Sequence, residues 1–237
     1  MKNLIFTLLI VFSFTVFVEA QDDCMQFFPT KQGSVLVNKT YDAANNLLST
    51  MTYKVMKTYQ YQSGTEIQIN FTLTDSKDKM IDQGNLNARC DGGTFYLNMT
   101  NRTLTPDIMK LLGSNTELVG DFLDYPDAFS ESDQYSGDLG MTGGQFTIKS
   151  KNNKKDFMSV RMYDRKYMKN EMINTPAGNF NAAKVSFNFE TTRDKKTTVQ
   201  KGMEWYAPNA GIVRSETYDK NGKLLNYTVL TTLQGNE

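Results

Sequence analysis

Ile67, Ile69, Phe71 and Leu73 alternate with Glu66, Gln68, Asn70, Thr72 and Thr74. A period of two sends successive side chains to opposite sides of the backbone, so this run is a β-strand with one apolar and one polar face. Val185, Phe187 and Phe189 alternate with Lys184, Ser186, Asn188 and Glu190 in the same way. Phe146 and Ile148, Met158, Val160 and Met162, and Tyr227 and Val229 repeat the theme more weakly. Polar clusters separate the runs: Asp75-Ser76-Lys77-Asp78-Lys79, Lys151-Asn152-Asn153-Lys154-Lys155, Arg193-Asp194-Lys195-Lys196 and Asp219-Lys220-Asn221-Gly222-Lys223. Asn-Gly between apolar flanks marks a hairpin because both residues tolerate positive φ. The pattern predicts a mainly β fold on an antiparallel sheet with one wet side, not a doubly wound parallel sheet.

Helix signals are few. Thr105-Pro106 reads as a cap followed by proline at the first helical position. Ile108, Met109, Leu111 and Leu112 then form a helical stripe that Gly113 stops, which predicts a short helix over 106–112. Leu118, Val119, Phe122 and Leu123 suggest a second helical turn over 116–124, ended by Pro126. Tyr41-Asp42 before Leu47-Leu48 matches Tyr218-Asp219 before Leu224-Leu225, with Thr74-Asp75 before Met80-Ile81 as a looser copy. Asp at turn starts, where its side chain bonds the backbone, accounts for this better than a duplication does.

The N-terminus reads as an export signal. Lys2 precedes an uncharged run from Leu4 to Val18, and Val18-Glu19-Ala20 fits a cleavage site with Gln21 as the mature start. The run is shorter than the roughly 20 apolar residues a membrane helix needs. Cys24 follows Asp22 and Asp23 rather than a small residue, which argues against a lipid anchor. The expected organisation is a signal peptide over 1–20 and a single β-rich exported domain over 21–237, in the periplasm or cell envelope. Export places Cys24 and Cys90 in an oxidising compartment. They are the only cysteines, so Cys24–Cys90 is the sole intrachain disulfide available, with two thiols or intermolecular bonds as the alternative. Closing that loop contributes roughly 4 kcal/mol in the chain-entropy model.

Of 237 residues, 39% are apolar, which is enough for a core. There is no histidine, which removes Ser-His and Cys-His catalysis and every histidine-metal site. Lys plus Arg and Asp plus Glu are both 26, and zero net charge argues against a nucleic-acid binder. The charge is nonetheless segregated. Residues 121–138 hold six carboxylates and no cation, but lack the Asp-x-Asp-x-Asp-Gly spacing of a calcium loop. Residues 149–201 hold 13 cations against five carboxylates. A solvated face explains this better than an anion or acidic-polysaccharide surface.

Catalytic signals are thin. Gly140, Gly143 and Gly144 make no phosphate loop, and no Gly-x-Ser-x-Gly occurs. Glu171 with Glu190, or Glu204 with Glu216, would suit acid-base work on a sugar if they converged; exposed strand carboxylates are the ordinary reading. Trp205 suits a core anchor better than a sugar platform. The 13 methionines read as core filler rather than as the lining of an adaptable pocket. Asn38, Asn70, Asn98, Asn101 and Asn226 each start an Asn-x-Ser/Thr triplet, which an Asn- and Thr-rich chain produces by chance.

Cys24-Met25-Gln26-Phe27-Phe28-Pro29, Gly33, Tyr41-Asp42, Thr74-Asp75, Cys90, Thr175-Pro176-Ala177-Gly178-Asn179-Phe180, and Glu204-Trp205-Tyr206-Ala207 running on to Gly211-Ile212-Val213 follow one another in an order that resembles the TapB-like family of exported Bacteroidota proteins. The resemblance spans almost the whole mature chain. It implies one strongly curved antiparallel sheet, an open or half barrel with one or two short helices. That shape is similar to lipoprotein-carrier domains that hold acyl chains in the hollow. The family carries no established catalytic residues, so none transfers. The expectation is an exported, non-enzymatic module that binds an envelope protein or other component. A carrier of an apolar ligand is the alternative, and a carboxylate-dependent hydrolase the second. No cofactor, metal site, nucleic-acid partner or membrane span after signal cleavage is expected.

Overall fold

In a computed structural model, the residues described are 28–61, 64–91, 94–98, 116–120, 122–125 and 143–235. The strands are β1 (Val35–Asp42), β2 (Leu47–Tyr61), β3 (Gly64–Asp75), β4 (Met80–Asp91), β5 (Thr94–Asn98), β6 (Thr116–Gly120), β7 (Phe122–Tyr125), β8 (Gly144–Ser150), β9 (Asp156–Thr175), β10 (Gly178–Arg193), β11 (Lys196–Ala207), β12 (Gly211–Tyr218) and β13 (Leu224–Gln234). They form one sheet in the order β6-β8-β9-β10-β11-β12-β13-β1-β2-β3-β4-β5-β7. Every ladder is antiparallel.

The two edges force the curvature. Laid flat, twelve strand-to-strand steps would hold β6 and β7 roughly 58 Å apart. Yet β6 ends at Gly120 and β7 begins at Phe122, and two trans peptide units span at most about 7.6 Å. The sheet therefore curls until its edges meet. No ladder among the described residues joins β6 to β7, so it remains an open barrel rather than a closed one.

Curling puts the apolar faces inside. On β3, Thr65, Ile67, Ile69, Phe71 and Leu73 are buried while their neighbours are not. Phe146, Ile148, Val160, Val185, Val55 and Leu230 join Ile67, Ile69 and Leu73 as fully buried side chains. Each contributes roughly 1.5–3 kcal/mol of transfer free energy. Two cross-strand pairs set a phenylalanine beside a glycine, Phe71 with Gly84 and Phe187 with Gly202. The ring of Phe187 occupies the volume of the missing side chain, since a Cβ on Gly202 would lie 2.1 Å from Phe187 Cζ.

The turns repeat one device. Asp42 Oδ1 accepts from the backbone N–H of Ala44 and Asn46, Asp75 Oδ1 from Lys77 and Lys79, and Asp219 Oδ1 from Asn221 and Lys223. Asn45, Asp78 and Gly222, each three residues on, take positive φ of 65°, 58° and 82°. The recurring Asp signal thus follows from one hydrogen-bonded turn.

Two helix expectations fare differently. The helix over 106–112 falls outside the described residues, as do the signal over 1–20 and Cys24. The helical turn over 116–124 is corrected: Thr116–Gly120 and Phe122–Tyr125 are strands, paired with β8 and β5. Local periodicity over a few residues does not separate helix from strand, and the exposed edges of the sheet capture this segment. No helix occurs among the described residues. None there is long and apolar enough to cross a membrane.

Candidate functional site

The register places one row of side chains on a single face of the sheet, with Trp205 itself part of the hydrophobic core. Lys169 of β9 pairs with Lys184 of β10, Lys184 with Trp205 of β11, Trp205 with Arg214 of β12, and Arg214 with Val229 of β13, which pairs with Lys39 of β1. Directly paired residues share a face. The adjacent row on that face runs Lys166, Ser186, Met203, Glu216, Tyr227 and Tyr41. Tyr227 and Val229 therefore share the face of this row, where Val229 is buried and Tyr227 half-buried, and Leu230 is buried on the other face.

Cations and rings alternate here. Lys184 Nζ lies 4.7 Å from the Trp205 ring centroid, and Arg214 Cζ lies 5.9 Å from it on the side of β12. Arg214 is also 5.3 Å from the Tyr227 ring, which stacks on Tyr41 with centroids 5.3 Å apart and planes 20° from parallel. Tyr227 Oη donates to Asn45 Oδ1, in the turn between β1 and β2, at 2.9 Å. The alternation suits the ring quadrupole, whose negative face attracts cations.

Two carboxylates brace the row. Glu171 Oε1 accepts from the Trp205 indole at 2.5 Å and lies 3.4 Å from Lys184 Nζ, while Oε2 lies 2.7 Å from Lys169 Nζ. The Lys169 hydrogen bond first, then the indole and Lys184, hold its pKa down to about 2 against the opposing pull of desolvation. Glu216 Oε1 takes both Arg214 Nε and Nη2, at 2.7 and 2.6 Å. Its Oε2 accepts from the Tyr218 hydroxyl. Burial, followed by that hydrogen bond, pushes the Tyr218 pKa up to about 12, so the phenol stays a donor. Trp205 is 4% exposed; it anchors the row and presents little surface of its own.

The proposed carboxylate pairs do not converge. Glu171 lies opposite Ala182 on β10, and Glu190 is eight residues farther along that strand, roughly 27 Å away. Glu204 pairs with Ser215 and Val185, whereas Glu216 pairs with Met203, so they sit on opposite faces. Glu204 is buried and accepts a hydrogen bond from Tyr206. Cys90 is buried on β4, opposite Thr65 and Phe95. Met158 and Met162 are buried in the core, but Met56, Met80, Met168 and Met172 are exposed, so methionine is only partly core filler. Among the triplet asparagines, Asn38 shares a face with Leu230 and Met51, and Asn70 Nδ2 donates to Gly84 O at 3.0 Å. Among the described residues, no three His, Cys, Asp or Glu are placed to hold a metal ion.

Sequence reasoning singled out Trp205 and Glu171 but not Lys184, Arg214, Tyr218 or Tyr227. The signal was present as Lys169-x-Glu171 and Arg214-x-Glu216-x-Tyr218, charged and polar partners two apart on one strand face.

A family model described as DUF3108-like matches residues 31–230. A Bacteroides fragilis protein with a YmcC-like fold, assigned as exported, is 33% identical with a TM-score of 0.79, over 89% of this chain and 99% of its own. A Parabacteroides distasonis protein assigned as a lipoprotein is 34% identical with a TM-score of 0.79, over 88% of this chain and 98% of its own. No curated protein matches the chain. The family name is thus DUF3108-like, and nothing matched carries the name TapB-like. The short motifs point to a group that holds these Bacteroides and Parabacteroides relatives and to a curved sheet, without distinguishing between related families.

Proposed function

This chain belongs to the DUF3108-like family, and from that premise we propose that it is an exported envelope protein that works by binding through the outer face of β9–β13 and β1. The relatives assigned as exported protein and lipoprotein, together with the apolar run after Lys2, support export. The observation that carries the binding reading is the contrast between the two faces. The middle of the interior is filled by the protein's own side chains, Phe146, Ile148, Val160 and Val185 among them, each under 2% exposed. The outer face instead holds a cross-braced row of cations and rings. Such bracing fixes side chains that would otherwise lose rotamer freedom on contact, which lowers the entropy cost of recognition. A filled interior also favours surface recognition over an apolar ligand carried inside.

The test uses the full mature chain and separated envelope fractions: polysaccharide with peptidoglycan, extracted lipid as vesicles, and solubilised membrane protein. Wild type is expected to co-sediment with at least one fraction, and a Lys166→Glu/Lys201→Glu variant of unchanged thermal stability is expected to lose it. Retention by none of the fractions, or equal retention of the variant, would overturn the reading.

A further inference from the structure

We infer that Asn221 is a site of spontaneous covalent modification, converting to isoaspartate through a cyclic imide, and that the Asp219 turn holds this reaction back. The inference is independent of the binding reading above.

The local chemistry carries the site. Asn221 is the only asparagine of the chain that is followed by glycine. Glycine has no side chain to shield its amide nitrogen, so the Asn221 side chain is open to attack by the main chain on its own C-terminal side. Both residues are exposed, in the hairpin turn that joins β12 to β13, so water reaches them. In the reaction the Gly222 nitrogen bonds to Asn221 Cγ, the Cγ–Nδ2 bond breaks, and the side-chain nitrogen leaves as ammonia with the proton from Gly222. Water then adds across a C–N bond of the imide. Opening at Cγ gives aspartate. Opening at the main-chain carbonyl gives isoaspartate, whose main chain is longer by a methylene.

The turn geometry carries the restraint. The nitrogen that must attack is already engaged, because Gly222 N–H donates to Asp219 O at 3.0 Å. Asp219 Oδ1 fixes the residues on either side, accepting from Asn221 N–H at 2.8 Å and from Lys223 N–H at 2.9 Å. These bonds hold the turn in one conformation, and the Gly222 amide reaches Asn221 Cγ only when the turn opens locally. The product cannot restore them, since the longer main chain no longer brings all of these donors to Asp219. It also sets a new carboxylate between Lys220 and Lys223. Tyr218 and Leu224 form the ladder pair next to the turn, and the Tyr218 hydroxyl donates to Glu216, so a loosened turn reaches the outer row.

The experiment follows the full mature chain during incubation at neutral pH. Peptide mapping reads the mass gained when an amide becomes an acid, and chromatography separates aspartate from isoaspartate. In urea, Asn221 is expected to convert ahead of every other asparagine, and in the folded protein its rate should fall. Asp219→Ala should raise the folded-state rate about fivefold, the gain in open population that loss of such a hydrogen bond brings. Asp219→Asn keeps the acceptor and should stay near wild type. Asp75→Ala strips the same contacts from the β3–β4 turn and should leave the Asn221 rate unchanged, which separates opening of one turn from a general loss of stability. Another asparagine leading in urea, or no isoaspartate at Asn221, overturns the inference. So do equal rates in the folded and unfolded chain, an Asp219→Ala rate equal to wild type, or equal acceleration by Asp75→Ala.

Discussion

The Trp205 indole donates to Glu171 Oε1 across 2.5 Å, joining β11 to β9 over the intervening β10. A hydrogen bond that skips a strand is not part of any ladder; it locks the outer row at the point where Lys169 and Lys184 also converge. The Glu171 charge is therefore a structural component, and its titration has a measurable consequence.

Glu171 titrates at about 2 in the folded protein against 4.5 for a free carboxyl. The folded state holds the charge, so the stabilisation is complete above about pH 4.5, fades as pH falls, and is gone below about 2. Glu171→Gln should cost on the order of 1–2 kcal/mol at pH 7 once solvent screening is allowed for. The gap from wild type should narrow steadily between pH 5 and 3, as followed by urea unfolding at each pH. A pH-independent gap would mean that the carboxylate contributes shape rather than charge.

Gly202→Ala should destabilise by about 1–3 kcal/mol, the range for forcing a methyl into a packed site. The new Cβ meets the ring of Phe187, and the ring must move. Phe187→Ala removes the obstacle at the cost of its own burial. The double variant should then be more stable than the sum of the single losses predicts, a coupling that denaturant midpoints resolve.

Asp219→Ala removes the acceptor of both Asn221 and Lys223 backbone N–H groups and should lower stability by roughly 1 kcal/mol, while Asp219→Asn keeps the acceptor and should lose less. Thermal unfolding of the two variants beside wild type distinguishes them. The same ordering is expected at Asp42 and Asp75, which make the same contacts.

The proposed Cys24–Cys90 bond would tie the mature N-terminus to β4. Native protein should resist alkylation at both positions until reduced, as read by intact mass. Reduction should lower stability by up to about 4 kcal/mol on the chain-entropy scale. Two alkylated cysteines in unreduced protein would remove the bond.

Much of the fold was legible because its signals are local. The Glu66–Thr74 alternation predicts β3 and its inward face, and the Asp-led clusters mark three turns that adopt one geometry. Over 116–124 the apolar spacing fits both helix and strand, and only the two sheet edges beside it decide between them. Tyr227 and Val229 alternate as an apolar face, and Val229 is buried, but the register sets them beside the charged Glu216 and Arg214, which the alternation alone does not reveal. A bulge or a one-residue shift reverses every side chain beyond it, and no local pattern reports where the partner strand lies.

By itself, then, the sequence determined that the chain is β-rich, that its strands have a wet side and a dry side, and where Asp-led turns reverse it, because dihedral preference and burial alternation act within a few residues. The tertiary structure alone decided that Lys184, Trp205, Arg214, Tyr227 and Tyr41, drawn from five strands and spread over more than half of the chain, lie in two adjacent rows of one face, and that Phe146, Ile148, Val160 and Val185 fill the middle of the interior. The physical reason is that strand neighbours are chosen by the pairing and curvature of the whole sheet, a condition that all the strands satisfy together and none encodes alone.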